Sequence, residues 1–135
     1  MTTGTRTFPD AQWFEALRDA VADDAELSVT GRWCTLNVAL VVGEETVLLR
    51  LREGKVAEAI PNPDIGASWS VTLRGSPEDW RTFLQPEPPP FHHDLLAMNT
   101  RVPSFSIEGD RKAFVRCLRV LRRVFEISQK LGAHA

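Results

Sequence analysis

A chain of 135 residues, 43% hydrophobic and 25% charged, has the size and balance of one globular domain, which excludes a disordered polymer and leaves little room for a second core. No apolar run approaches the roughly 20 residues of a bilayer-crossing helix, and Met1–Thr7 lacks the apolar segment of a secretory leader, so a cytoplasmic protein is expected. The net charge of -2 conceals an asymmetry, because residues 1–110 carry -8 and residues 111–135 carry +6.

Residues 1–9 read as a flexible end, followed by a single domain over 10–135. Pro9 and Asp10 open a helical pattern in which Trp13, Phe14, Leu17, Ala20 and Val21 form one apolar stripe, and Asp23-Asp24 closes it. From Trp33 the period becomes 2: Leu36, Val38, Leu40 and Val42 share one face of a strand. A turn at Gly43-Glu44-Glu45 leads to a second strand with Val47, Leu49 and Leu51 on one face. Glu53-Gly54 signals a tight hairpin into a third strand, Lys55 to Ile60. Connections this short fit only antiparallel neighbours.

The turn formers of Pro61–Gly66 predict a surface loop, and Ser68 to Arg74 a fourth strand with Trp69, Val71 and Leu73 on one face. Ser76-Pro77-Glu78-Asp79 is a helix start, with a serine cap, proline in the first position and acids in the first turn. That helix carries Trp80, Phe83 and Leu84, and the four prolines of residues 85–90 then require extended or turn-like chain. A short helix is expected from Phe91 to Asn99, a brief fifth strand at Phe105 and Ile107, and a long last helix from Arg111 to Leu131 capped by Asp110.

The last helix is amphipathic. Phe114, Cys117, Leu118, Leu121, Val124 and Phe125 fall on its apolar side, while Lys112, Arg116, Arg119, Arg123 and Lys130 form a stripe opposite. Such a stripe suits an acidic protein partner or an anionic membrane surface, or is simply a solvated face. Nucleic acid is not expected, since the rest of the chain is acidic and carries no recognition motif.

No constellation predicts catalysis. His92-His93-Asp94 groups catalytic residue types, but neighbouring helical residues point about 100° apart and do not grip one metal as an i, i+4 pair does. There is no glycine-rich phosphate loop and no nucleophile elbow. Cys34 and Cys117 have neither metal-ligand spacing nor a disulfide framework and read as small core residues. No cofactor and no metal are expected.

Two motifs carry a resemblance. Ser68-Trp69-Ser70-Val71-Thr72-Leu73 followed by Ser76-Pro77-Glu78-Asp79-Trp80 is similar to the fourth strand and acidic-aromatic helix start of the sterol-carrier-protein-2 (SCP2) family. Phe105-Ser106-Ile107-Glu108-Gly109-Asp110 resembles that family's closing strand and its turn into the last helix, and Leu51–Val56 fits its hairpin. The likeness spans roughly residues 10–131. It departs at Pro86–His93, where the family usually has a stretch containing glycine and lysine.

The resemblance implies an α+β fold: a five-stranded, mainly antiparallel sheet covered on one face by helices around an internal apolar cavity. It implies non-enzymatic binding or transfer of a hydrophobic small molecule or lipid, such as a fatty acyl chain or sterol. The candidate lining is Trp69, Val71, Trp80, Phe83, Phe91, Leu95, Met98, Phe105, Phe114, Leu118 and Phe125. The alternative is an interaction module whose interior is filled by its own side chains and whose basic C-terminal helix docks an acidic partner.

Overall fold

In the computed structural model, residues 7–64 and 66–133 are described. Five strands, β1 (Thr35–Val42), β2 (Glu45–Arg52), β3 (Lys55–Pro61), β4 (Val71–Gly75) and β5 (Ser106–Gly109), form one sheet in the order β3-β2-β1-β4-β5. The expected β1–β2–β3 meander is present, and at its second turn Glu53 and Gly54 both take positive φ, 53° and 78°. That turn matches the twist of the strands it joins. β4 runs parallel to β1, the one parallel pairing of an otherwise antiparallel sheet.

Parallel neighbours need a crossover, and residues 62–64 and 66–70 belong to it, on the face away from the helices. Val38 faces the core, so by alternation Asn37 faces away, and its side-chain amide donates to the Ser68 carbonyl at 3.4 Å. Ala39 and Leu48, paired in register on this second face, are fully buried.

The opposite face carries the helices: α1 (Ala11–Ala22), α2 (Ala25–Thr30), α3 (Pro77–Phe83), α4 (Leu95–Arg101), α5 (Arg111–Arg116) and α6 (Leu118–Leu131). The core between them and the sheet takes Trp13, Phe14, Leu17 and Val21 of α1, the even-numbered residues of β1, and the inward side of α6. Trp13 Nε1 also donates to the Gly132 carbonyl at 2.8 Å, tying α1 to the end of α6.

Four expectations are corrected. The looseness expected of residues 1–9 does not extend to Phe8, whose ring is buried against Trp13, Phe14 and Trp80 and whose amide donates to the Ala133 carbonyl; residues 1–6 lie outside the described residues. A helix not anticipated, α2, follows α1, capped where the Asp24 carboxylate accepts from the Leu27 amide. The long last helix is two, because Cys117 at φ -102°, ψ 10° leaves helical geometry between α5 and α6. And Cys34 and Cys117, expected as separate thiols, are joined in a disulfide, their Cα atoms 5.5 Å apart. Both are buried as expected, but 83 residues apart in sequence they left no local signature of the bond.

Candidate ligand-binding cleft

Eight of the proposed lining residues, Val71, Trp80, Phe83, Leu95, Met98, Phe105, Phe114 and Phe125, are buried in the one core, and Leu118 packs partly buried against it. Their centre is Trp80. Its ring stands 6.0 Å from Phe83, 5.8 Å from Phe105 and 6.0 Å from Phe125, and its indole nitrogen donates to the Val41 carbonyl at 2.9 Å. The hydrogen bond fixes the tryptophan on the sheet, and the phenylalanines meet it in the tilted and edge-on arrangements aromatic rings prefer. The middle of the helix-covered face is thus occupied by rings.

Two of the proposed residues lie elsewhere. Val71 and Leu73 face the helices, so Thr72 faces away, and the Trp69 indole donates to the Thr72 hydroxyl at 3.0 Å. Trp69 therefore lies on the crossover face, partly exposed. It precedes β4, where strand alternation does not apply. Phe91 is half-exposed, at φ 75°, with the Arg101 guanidinium 5.4 Å over its ring. The expected helix begins only at Leu95, because Asp94 rather than Phe91 caps it, accepting from the Leu96 amide.

Between Phe83 and Leu95 the chain forms a proline-rich strap, residues 84–94, held at three points. Asp94 pairs with Arg122 of α6 at 3.2 Å; Gln129 of α6 donates to the His93 carbonyl at 3.2 Å; and His92 Nε2 stands 3.6 Å from Asp79 Oδ1. Asp79 is the buried anchor. It completes a reciprocal cap with Ser76 and accepts from the Ser104 hydroxyl at 2.6 Å. Burial alone would raise its pKa, but the hydrogen bonds of Ser104, Ser76 and His92 outweigh that and hold it below the usual carboxylate value. These roles account for the side chains of His92 and Asp94, and among the described residues no cluster of three or more metal-ligating side chains occurs.

Strap and α6 enclose a surface cleft of about 450 Å³. Its floor is Phe83, Leu95 and Phe125, and its rim is His93, Asp94, Arg122, Glu126 and Gln129. A smaller groove of about 150 Å³ lies on the other side of α4, with Leu96, Ile107, Phe114 and Val115 among its walls. The rim residues were not among the expected ligand contacts. They lie on the polar side of α6 and in the strap, and only the tertiary fold brings them over apolar rings.

The basic stripe is sorted by its partners. Arg123 binds Asp24 at 2.7 Å and also reaches Glu126 and Glu26, and Arg122 is taken by Asp94. The hydrogen bonds that Arg123 donates to Asp24, ahead of the opposing effect of burial, raise the Arg123 pKa further. Lys112, Arg116, Arg119 and Lys130 remain exposed, without ion-pair partners among the described residues.

Three solved structures share this arrangement. A crystal structure of sterol carrier protein 2 superposes with a TM-score of 0.66 at 14% identity, over 87% of this chain and 94% of that one. The fold is SCP2-like. The UbiJ-SCP2 ubiquinone synthesis protein matches at TM-score 0.56 and 9% identity, over 86% of this chain and 87% of its own. The solution structure of the sterol carrier protein domain 2 of Helicoverpa armigera matches at 0.55 and 18%, over 93% and 95%. No family model and no curated protein matches the sequence. At these identities what is shared is the SCP2-like backbone plan.

Proposed function

We propose that this SCP2-like domain is a non-enzymatic binder or carrier of a small amphiphile, such as a fatty acyl or sterol-like molecule, taken up in the cleft between the strap and α6. The observation that carries this reading is the floor of Phe83, Leu95 and Phe125 beneath a rim of charged and amide side chains. An apolar floor would hold the hydrocarbon, each buried methylene contributing about 0.8 kcal/mol. The rim, with the Gln129 amide and charged groups of both signs, suits a polar head. The cleft's volume lies within the range of about 300–1,000 Å³ common to small-molecule sites. A longer ligand would displace the strap, whose three polar fastenings are individually weak where solvent reaches them.

The alternative of an interaction module is favoured by one observation, the aromatic filling around Trp80. It is weakened by another, since Arg123 of the basic stripe is already engaged within the chain.

Native mass spectrometry of the purified protein, with organic extraction of its cargo, tests the binding reading. Protein that arrives empty and fails to take up a panel of fluorescent lipids would exclude it. Glu126→Trp then locates the site: an indole at this exposed rim position obstructs the cleft without entering the core. Uptake is expected to fall about tenfold with an unchanged melting curve. Full uptake by a folded Glu126→Trp protein would move the ligand elsewhere.

A further inference from the structure

Trp33 is 81% exposed, whereas Trp13 and Trp80 are fully buried and Trp69 is 39% exposed. An indole left in water forfeits its burial, and Trp33 lines neither of the clefts beside α4. Val29, four residues earlier on α2, and Val115 on α5 are also exposed, at 68% and 65%. The Cys34–Cys117 bond joins the turn that carries Trp33 to the end of α5 that carries Val115. With bonded cysteines 5.5 Å apart at Cα and adjacent Cα atoms about 3.8 Å apart, Trp33 and Arg116 lie within about 13 Å.

The corner is also firmly built. Gly31 and Gly54 meet so closely that a Cβ on either would stand 2.5 Å from the other's Cα, and the Gly54 amide donates to the Cys34 carbonyl. Trp33 is thereby presented on an anchored turn.

Unpaired cations predominate around it; Glu53, beside Gly54, and Glu26, in the same shallow pocket as Arg119, lie at its edges. The Arg32 guanidinium sits 5.4 Å over the Trp33 ring, and Lys112, Arg116 and Arg119 follow at spacings of four and three residues along α5 and the start of α6. All are free of carboxylate partners among the described residues, in contrast to Arg122 and Arg123. A protruding indole with scattered aliphatic side chains and a surround of unpaired cations has the chemistry of a membrane-interface anchor. Tryptophan settles at headgroup depth, and each cation is attracted to an anionic leaflet.

We propose that this disulfide-stapled corner docks on an anionic lipid bilayer, with Trp33 as the inserting side chain and Arg32, Arg116 and Arg119 as its main cationic contacts. The docking does not depend on the cleft being a ligand site.

The test uses the full chain with phosphatidylcholine vesicles, with or without roughly one-third phosphatidylserine. Co-sedimentation with the anionic vesicles and a blue shift of tryptophan emission are expected, both lost in salt above roughly 0.5 M. Trp33→Ser weakens binding about tenfold and abolishes the shift, while Trp33→Phe retains most of the binding. Arg116→Glu combined with Arg119→Glu weakens it about thirtyfold or more. Because all three positions are exposed, the melting curves stay in place. No sedimentation with anionic vesicles overturns the proposal, as does binding that Trp33→Ser leaves intact. Binding to polyglutamate as tight as to vesicles, and independent of Trp33, overturns it in favour of an acidic protein partner.

Discussion

Asp24 and Arg123 are 99 residues apart in sequence and 2.7 Å apart in space, and Asp24 also caps α2. Arg123's hydrogen bond, ahead of the opposing effect of burial, holds the Asp24 pKa below its ordinary value. The folded pKa is therefore below the unfolded one of about 3.9. The pair's stabilisation is complete above that unfolded value and is lost as pH falls through the folded one. Asp24→Asn keeps a cap and removes the charge, so it should cost about 1–2 kcal/mol at neutral pH. The deficit should close as pH falls through the lowered folded pKa, where the unaltered carboxylate becomes neutral as well. Denaturant melts across pH measure this, and a deficit that stays constant into acid would assign the loss to shape rather than charge. Sequence placed Asp24 at the end of α1 and Arg123 on an outward stripe. Neither position contained the other, because ion pairs across a fold depend on packing that no local pattern encodes.

At the scale of elements, hairpins and caps were the most legible features. Glu53-Gly54 made its turn, Ser76 with Asp79 made its reciprocal cap, and Asp110 capped α5, since each is decided within a few residues. Helix α2 was missed because six residues with one buried side chain, Leu27, are too few for a period to appear. The break at Cys117 was missed for the opposite reason: apolar spacing continues through Phe114, Leu118 and Leu121 although the backbone turns. That break places the Cys117 sulfur against Cys34 at the head of β1. A cross-link closing so long a loop contributes about 4 kcal/mol in the chain-entropy account. Reduction should lower the midpoint of thermal unfolding by roughly 15 °C. Scans with and without reductant measure the shift. Two reactive thiols in protein denatured without reductant would show that the bond is not formed.

Over the whole molecule, alternation and helical spacing carried the strands and most of the helices, because they report burial directly, while the helix-covered face was what the family resemblance implied. What the sequence did not carry was how the apolar interior divides between packed rings and open space. Trp80, Phe83, Phe105 and Phe125 have the same pattern whether they touch one another or a ligand, and the structure has them touching. The cleft beside α6 is where that packed interior meets the surface, so occupancy should register in global stability. A ligand that binds only the native state at a hundredfold excess over its Kd adds about 2.7 kcal/mol. For a domain of this size that raises the unfolding midpoint by roughly 10 °C. Lipid-stripped protein titrated with a fatty acid below its micelle concentration should show the rise, and the Glu126→Trp protein should lack it. If both proteins rise together, the fatty acid is acting away from the cleft; if neither rises, fatty acids are not its ligand class.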